Sequence, residues 1–235
     1  MTERSTVNIR SRPGTQDEEV FRDVLCANCY QLPKKFMPDD VIIDVGAHIG
    51  IFTIACLLRG AGKVWCYEPD EANFSLLKSN LAEHGDRVFL CKSAIWGNLD
   101  DKLLFSGYPE RATACGSVLP GCTVDGANQE IPVERTVLDE AIDAATDSGR
   151  GRVRLLKIDA EGAEYPALYT SEKLDLVDEI VGECHDIRNL KLHLSIPGHD
   201  RFDMVGVKRF LQGQGFYVSY RPSGNEMMSL FFASR

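Results

Sequence analysis

The chain has 235 residues, of which 44% are hydrophobic and 26% charged. These fractions are typical of a folded globular domain and exclude a disordered, collagen-like or coiled-coil protein. The formal net charge of −9 disfavours a nucleic-acid partner, because binding to a phosphate backbone would lack its main attractive term. The longest apolar runs are far shorter than the roughly 20 residues that a membrane span needs, so we expect no membrane partner.

The first 40 residues predict a lead-in arm and helix ahead of the main domain. The opening 14 residues are polar and contain no apolar stretch, so they predict no secretory signal. Thr15 and Glu18 have the spacing of a capping box, with Thr15 as the N-cap of the helix that follows. Eight cysteines are scattered through apolar segments, a pattern typical of reduced, buried thiols. We therefore expect a cytoplasmic protein.

From residue 41 onward, apolar strands alternate with amphipathic helices. Val41–Val45 is a nearly continuous apolar run before a glycine-rich turn, which indicates a strand buried on both faces. The other elements in this series are strands at 64–67, 88–91, 153–158 and 180–184, and helices at 50–58, 71–84, 137–145, 162–169 and 203–212. The alternation predicts one α/β domain over residues 41–235, built on a mostly parallel sheet with right-handed crossovers.

Two segments depart from this alternation. Residues 98–135 are rich in glycine, proline and polar side chains, and we interpret them as a β-rich hairpin insertion. Residues 216–220 and 227–233 predict a closing hairpin, which would supply one antiparallel edge strand. Sheets of this kind bind ligands beyond the carboxyl ends of their strands, so the residues that follow each strand are the candidate site.

The turn after the first strand indicates the cofactor. Gly46 and Gly50 are placed for a tight turn and a close approach of the backbone to a ligand. The second strand ends in Glu68, which follows Gly46 by 22 residues, the distance at which an acidic side chain binds a ribose hydroxyl pair. His48 stands where a dinucleotide-binding loop has its second glycine, which disfavours a pyrophosphate. The pattern predicts S-adenosylmethionine and disfavours NAD.

Four stretches of the sequence resemble the FkbM family of S-adenosylmethionine-dependent methyltransferases, over about residues 12–190. They are DVGAHIGIFT at 44–53, YEP at 67–69 with Asn73 and Asn80, AIWG at 94–97 and LLKIDAEGAE at 155–164. The resemblance implies the Rossmann-like class I methyltransferase fold, a mostly parallel seven-stranded sheet with one antiparallel edge strand and helices on both faces. It also implies O-methylation of a hydroxyl on a sugar or natural product, so the expected partner is a small-molecule hydroxyl acceptor.

The same resemblance implies which residues contact the cofactor. Ser93 and Ala94 are expected beside the adenine, Asp159 at the methionine end, and Tyr30 as a cover from the lead-in. The family usually has asparagine where this chain has His48, so the ring is expected to replace one polar contact. The complete expected set is Asp44, Gly46, His48, Glu68, Ser93, Ala94, Asp159 and Tyr30.

Two acidic clusters follow neighbouring strands and can activate a hydroxyl. Asp159, Glu161 and Glu164 form one cluster; Glu183 and His185, two residues apart and hence on one face of a strand, form the other. We expect His185 to be the general base, because the ordinary pKa of histidine lies near working pH. Glu183 or Glu161 is expected to orient it, and Asp159 to lie beside the methyl group.

Alternatives remain open for these residues and for the whole protein. A divalent cation such as magnesium, held by Asp159, Glu161, Glu183 and His185, can activate the hydroxyl instead. In a purely structural reading, Glu161 and Glu164 form the polar first turn of a helix and His185 bonds to backbone. The acceptor can also be a macromolecule, or the chain can be an inactive adenosyl-binding module.

Overall fold

The computed structural model describes residues 8–99, 102–107, 112–119, 130–188, 194–223 and 227–235. Its strands are β1 (Val41–Val45), β2 (Lys63–Tyr67), β3 (Val88–Cys91), β4 (Ala94–Trp96), β5 (Leu104–Phe105), β6 (Ile131–Pro132), β7 (Arg135–Val137), β8 (Val153–Ile158), β9 (Val177–His185), β10 (Tyr217–Pro222) and β11 (Met228–Ser234). Its α-helices are α1 (Asp17–Phe21), α2 (Ile51–Leu58), α3 (Glu71–Leu81), α4 (Leu138–Thr146), α5 (Glu164–Tyr169) and α6 (Met204–Gly213). None of the described helices is long and apolar enough to cross a membrane.

Seven of the described strands form one sheet in the order β10-β11-β9-β8-β1-β2-β3. The five strands from β9 to β3 pair in parallel, whereas β11 is antiparallel to both of its neighbours. The mostly parallel seven-stranded sheet with one antiparallel strand at this edge is therefore confirmed. The antiparallel strand β11 is the second strand from the edge, and β10 is the outermost strand. The strand order reverses beside β1, which lies between β2 and β8, and such a reversal is where open sheets bind ligands.

Both faces of the sheet are buried, as its apolar strands require. Side chains alternate along β1, so that Ile43 and Val45 join the core on one face and Ile42 joins the core on the other. Helices α2 and α3 pack on the face of Ile42, and α4, α5 and α6 pack on the opposite face. Helices on both faces are thus confirmed, and their packing holds the carboxyl edge of the sheet in place.

The lead-in differs from its prediction. Helix α1 begins at Asp17 after Gln16, which already has helical dihedral angles and makes no side-chain cap. The predicted N-cap at Thr15 is therefore wrong: its hydroxyl donates to the carbonyl of Arg12 at 2.8 Å and accepts from the amide of Asp17. After Phe21 the helix widens into a π-helical turn at Arg22–Cys26. Residues 12–30 then lie over the carboxyl edge of the sheet, where several of them line the cavities described below.

The insertion contains the expected hairpin within its described part. Strands β5 and β6 pair antiparallel, with Leu104 opposite Pro132. A second small sheet that was not predicted pairs β4 with β7 in parallel. The closing hairpin is also confirmed, since Tyr217 of β10 lies opposite Ser234 of β11. Residues 100–101, 108–111 and 120–129 of the predicted insertion lie outside the described residues.

Candidate active site

A cavity opens at the carboxyl ends of β1, β2 and β8, where open sheets of this kind bind their ligands. The expected cofactor residues Gly46, His48, Glu68, Ala94, Asp159 and Tyr30 all line it. Asp44 and Ser93 are buried but are not part of this wall. The structure thus brings most of the expected set to one cavity. Asp44 reaches this cavity through Lys157, which lines the wall and pairs with the Asp44 carboxylate.

The turn after β1 is tight because two chain segments meet there. Gly46 has a φ of +72°, and a Cβ at this position would lie 1.9 Å from the carbonyl oxygen of Asp159. His48 also has a positive φ, of 53°. Its backbone amide donates to the Glu68 carboxylate at 2.8 Å, which holds the turn against the end of β2.

Glu68 is held in one orientation by backbone donors. Its Oε2 accepts from the amide of His48, and its Oε1 accepts from the amide of Asp70 at 2.9 Å. Burial raises the pKa of Glu68, and the hydrogen bonds from Asp70 and His48 oppose that rise. A carboxylate oxygen can accept more than one hydrogen bond, so this fixed group can still bind ribose hydroxyls.

Lys157 joins the first turn to the end of β8. Its buried ammonium group donates to the carbonyls of Val45 at 3.1 Å and Gly46 at 2.7 Å. It also lies 3.4 Å from Asp44 Oδ1 and 3.6 Å from Asp159 Oδ2. Burial lowers the pKa of Lys157, but the charges of Asp44 and Asp159 outweigh it, so the pKa lies above its usual value. Lys157 thus pairs with the carboxylates of two neighbouring strand ends.

Tyr30 covers the cavity from the lead-in. Its hydroxyl donates to Asp159 Oδ2 at 2.9 Å, and its ring packs edge-on against Phe52 with 5.4 Å between centroids. Burial, followed by the charge of Asp159, raises the pKa of Tyr30 well above its usual value. The group is therefore a neutral hydrogen-bond donor at any working pH.

We expect Tyr30→Phe to weaken S-adenosylmethionine binding by roughly 3- to 10-fold, because the lost hydrogen bond, of about 1.5–3 kcal/mol, orients Asp159 and only part of its free energy bears on the cofactor. The aromatic ring remains in this variant, so it should still cover the cavity. Calorimetric titration measures the change, with Tyr217→Phe as the control because Tyr217 is exposed on β10. Unchanged affinity would mean that the Tyr30 hydroxyl does not position Asp159 for the cofactor.

Sequence reasoning missed a buried charge network above the cavity. Asp17 is 0% exposed and accepts three hydrogen bonds from Arg12, through the backbone amide, Nε and Nη2. It also accepts from the hydroxyl of Thr113 at 2.8 Å and lies 3.2 Å from His48 Nε2. Burial raises the pKa of Asp17, but the bonds from His48 and Arg12 hold it well below its usual value. One carboxylate thus ties the lead-in, the first turn and the insertion together.

A second cavity, wider and more open, adjoins the first. Tyr30, Asp159 and Glu161 line both cavities, so a ligand in one can reach a ligand in the other. Among the described residues, the carboxylates that line the second cavity are Glu19, Asp23, Asp159, Glu161, Glu183 and Asp186, and no lysine or arginine lines it. The two cavities have the arrangement of a cofactor site beside an acceptor site.

The two predicted acidic clusters converge on His185. Nδ1 of His185 lies 2.9 Å from Glu164 Oε1, and Nε2 lies 3.3 Å from Glu161 Oε2. Oε2 of Glu183 is more distant, at 4.0 Å from Nε2. Glu164 is 0% exposed and also accepts from the amide of Ala160 at 2.9 Å, so it is more than the polar first turn of a helix.

This convergence changes the charge of the histidine. Burial lowers the pKa of His185, but the carboxylates of Glu161 and Glu164 outweigh it and hold the pKa well above its usual value. This direction differs from the expectation that His185 titrates near neutral pH, and the role of His185 as general base stays a prediction. Burial, and then the charge of Asp159, raises the pKa of Glu183 to about 8.

The sheet order, the glycine turn, the acidic residue that ends β2 and the cavity at the switch point define a class I S-adenosylmethionine-dependent methyltransferase. A family model described as the methyltransferase FkbM domain matches residues 44–217. The chain belongs to the FkbM family of methyltransferases.

Two curated relatives are similar to the chain over most of their length. Methyltransferase 1 of Beauveria bassiana (strain ARSEF 2860) is 25% identical over 225 residues, with 86% of this chain and 82% of that protein covered. The 31-O-demethyl-FK506 methyltransferase FkbM of Streptomyces tacrolimicus is 26% identical over 193 residues, with 72% and 74% covered. Among solved structures, magnesium protoporphyrin IX methyltransferase (ChlM) of Synechocystis PCC 6803 with bound SAM aligns at a TM-score of 0.47 and 8% identity, covering 99% of this chain and 88% of that one.

Proposed function

We propose that this protein transfers the methyl group of S-adenosylmethionine to a hydroxyl oxygen of a small-molecule acceptor. The observation that carries the proposal is the shared wall of the two cavities, where Asp159 and Glu161 belong to both. Carboxylates at that wall can take up the proton that a hydroxyl must lose on methylation. One curated relative is named as a 31-O-demethyl-FK506 methyltransferase, a name that indicates an oxygen acceptor in that protein.

The lining of the first cavity fits an adenosyl group in its chemistry. Glu68 offers carboxylate oxygens to the ribose, and Gly46, in the tight turn after β1, lines the cavity without a side chain. His48 lines the cavity, and its Nδ1 is buried without a hydrogen-bond partner among the described residues. S-adenosylmethionine, when bound, supplies an electrophilic methyl group. The chain's own residues bind the cofactor and the acceptor, align them and exclude water, so their contribution is mostly a proximity effect.

Calorimetric titration with S-adenosylmethionine, S-adenosylhomocysteine and NAD tests the cofactor, followed by mass spectrometry of hydroxyl compounds incubated with the enzyme. Micromolar binding of the two adenosyl ligands and a 14-dalton gain on a hydroxyl acceptor are the expected results. Binding of NAD alone would overturn the cofactor assignment. Methylation of nitrogen, of protein or of RNA in place of hydroxyls would overturn the acceptor class, and no methylation of any acceptor would favour the inactive binding module.

The charge of the second cavity predicts a preference among acceptors. Its described lining carries five acidic side chains besides Glu183, whose pKa is raised to about 8, and no basic side chain other than His185. The juxtaposition of like charges costs several kcal/mol. We therefore expect uncharged hydroxyl acceptors to react at least about tenfold faster than their phosphorylated counterparts. Methyl glucoside and its 6-phosphate are a matched pair for measuring this ratio, and faster reaction of the phosphate would contradict the prediction.

A divalent cation is the alternative means of activating the hydroxyl. Asp159, Glu164 and His185 present ligand atoms within 4.8 Å of one another, but Asp159 Oδ2 already accepts a hydrogen bond from Tyr30 and lies 3.6 Å from the Lys157 ammonium group. We therefore propose the metal-free route. Acceptor methylation that requires added magnesium and is abolished by a chelator would reverse this choice.

The cytoplasmic location stays a prediction, supported by the seven described cysteines, all of them free thiols.

A further inference from the structure

The ring of His48 has one nitrogen with partners and one without. Nε2 lies 3.2 Å from Asp17 Oδ1, 3.2 Å from Arg12 Nη2 and 3.4 Å from Thr113 Oγ1. Nδ1 is buried and has no hydrogen-bond partner among the described residues. The side chain is only 9% exposed, and the residue lines the first cavity. Because buried polar atoms in folded proteins are nearly always hydrogen-bonded, we expect a ligand in this cavity to supply the partner of Nδ1.

The neighbours of Nε2 decide which ring nitrogen carries the proton. The two hydrogens of Arg12 Nη2 are taken by Asp17 Oδ1 at 2.9 Å and by Asn73 Oδ1 at 2.7 Å. The single hydroxyl hydrogen of Thr113 goes to the same Asp17 oxygen, at 2.8 Å. No hydrogen of these described neighbours is left for Nε2, so Nε2 donates to the carboxylate oxygen that it faces. A ring that holds its one proton on Nε2 has its lone pair on Nδ1.

The unpaired nitrogen lies near the carboxylate that is proposed to bind the ribose. Nδ1 is the ring nitrogen closer to the backbone, and the backbone amide of His48 donates to Glu68 Oε2 at 2.8 Å. Both residues line the first cavity. A ribose has two neighbouring hydroxyl groups, each of which can donate one hydrogen bond. The Glu68 carboxylate and the Nδ1 lone pair are two acceptors that match this pair of donors.

The conformation of His48 is held from two sides. Its φ of 53° is in the left-handed region, which residues other than glycine adopt only rarely. Glu68 binds its main chain, and Asp17 binds the far end of its ring. Asp17 is itself fixed by three hydrogen bonds from Arg12 and is not part of the wall of the first cavity. Any effect of Asp17 on a ligand there must therefore pass through His48.

We propose that Asp17 is a positioning residue for the cofactor: it holds the His48 ring so that Nδ1 accepts a hydrogen bond from a ribose hydroxyl. The lead-in thereby takes part in cofactor binding through a side chain that does not touch the cofactor. The inference rests on the adenosyl cofactor of the proposed function and is independent of the acceptor. Without the Asp17 carboxylate, the proton is no longer confined to Nε2, and the acceptor at Nδ1 is lost.

Long-range proton–nitrogen NMR of the full chain, labelled at histidine and assigned with His48→Gly, tests the state of the ring. We expect a proton on Nε2 and none on Nδ1 at pH 7.5, and a change in the Nδ1 shift toward a hydrogen-bonded nitrogen when S-adenosylhomocysteine binds. In Asp17→Asn we expect the proton to be shared between the two nitrogens. A proton on Nδ1 of the wild-type ring, or an Nδ1 shift that binding leaves unchanged, would overturn the proposal. The wild-type spectrum gives this answer even if Asp17→Asn does not fold.

A double-mutant cycle separates positioning from a merely structural role of Asp17. By calorimetric titration with S-adenosylhomocysteine, we expect Asp17→Asn, His48→Gly and the double variant each to lose roughly the same 3- to 10-fold in affinity, the contribution of one hydrogen bond. Glycine is used because it tolerates the positive φ of His48. Losses that multiply in the double variant would mean that Asp17 acts without His48, and they would overturn the proposal.

Thr15→Val is the matched control for the lead-in. The Thr15 hydroxyl accepts from the backbone amide of Asp17, but the residue lines neither cavity and leaves the Asp17 carboxylate in place. We expect its affinity for S-adenosylhomocysteine to be that of the wild type. A loss as large as that of Asp17→Asn would mean that the lead-in acts by its docking alone, which would overturn the role of the carboxylate.

5′-Methylthioadenosine, which keeps the ribose and lacks the amino-acid group, locates the contact. We expect His48→Gly to weaken the binding of this compound by the same factor as the binding of S-adenosylhomocysteine. A loss confined to S-adenosylhomocysteine would place the contact at the methionine end and overturn the ribose assignment. A wild-type chain that binds neither compound would instead refute the cofactor of the proposed function. The spectrum of His48 in the ligand-free protein would then still show whether Asp17 holds the proton on Nε2.

Discussion

Glu68→Ala is expected to abolish measurable binding of S-adenosylmethionine and S-adenosylhomocysteine. Hydrogen bonds to a charged group contribute about 1.5–3 kcal/mol each, so the loss of two ribose contacts corresponds to at least about 100-fold in affinity. The substitution also removes the acceptor of the His48 amide and of the Asp70 amide. The turn after β1 would then lose the contact that positions it. The total loss of affinity should therefore exceed the loss expected from the ribose hydrogen bonds alone.

Glu68→Gln separates these two contributions. The amide keeps the size of the side chain and one carbonyl oxygen, so it retains one backbone contact and loses the charge. We expect an intermediate loss of roughly tenfold by calorimetry. Glu71→Gln is the control, because Glu71 is exposed in the first turn of α3. Wild-type affinity in Glu68→Ala would mean that the cavity at the end of β2 does not hold the ribose.

The strands could be predicted from sequence because they are buried on both faces. β1, β3 and β8 have the bounds that the apolar runs predict: Val41–Val45, Val88–Cys91 and Val153–Ile158. Helix starts were harder, since they depend on local backbone geometry. Helix α5 begins at Glu164 and not at Gly162, because Glu161 and Gly162 both have positive φ angles, of 51° and 98°, which a helix does not contain.

The cofactor residues could be predicted because strand ends in a parallel sheet converge at one edge. The charge network of Asp17 could not, since it joins residues as distant in sequence as Arg12 and Thr113. The protonation of His185 was also beyond the sequence. It depends on Glu164, the first residue of helix α5, whose Oε1 lies 2.9 Å from His185 Nδ1. The spacing of residues along β9 carries no information about that neighbour.

His185→Gln is expected to destabilise the protein by about 3–5 kcal/mol near neutral pH, the usual cost of removing one partner of a buried ion pair. The reason is Glu164, which is 0% exposed and would lose the partner that His185 Nδ1 gives its Oε1. Urea unfolding at pH 7.5 measures the loss. The double variant Glu164→Gln/His185→Gln should recover a large part of it, because two amides can pair without a buried charge.

The pH dependence of this loss distinguishes an ion pair from simple packing. The pKa of His185 is raised on folding, so its contribution is fully present below the unfolded histidine pKa of about 6.5 and is lost as pH rises through the folded value. The gap between wild type and His185→Gln should therefore persist through neutral pH and narrow in alkaline solution. A gap that stays constant from pH 6 to alkaline pH would mean that the ring stabilises the protein by its shape alone. The contacts of His185 with Glu161 and Glu164 would then carry no charge, and His185 would be free to act as a base.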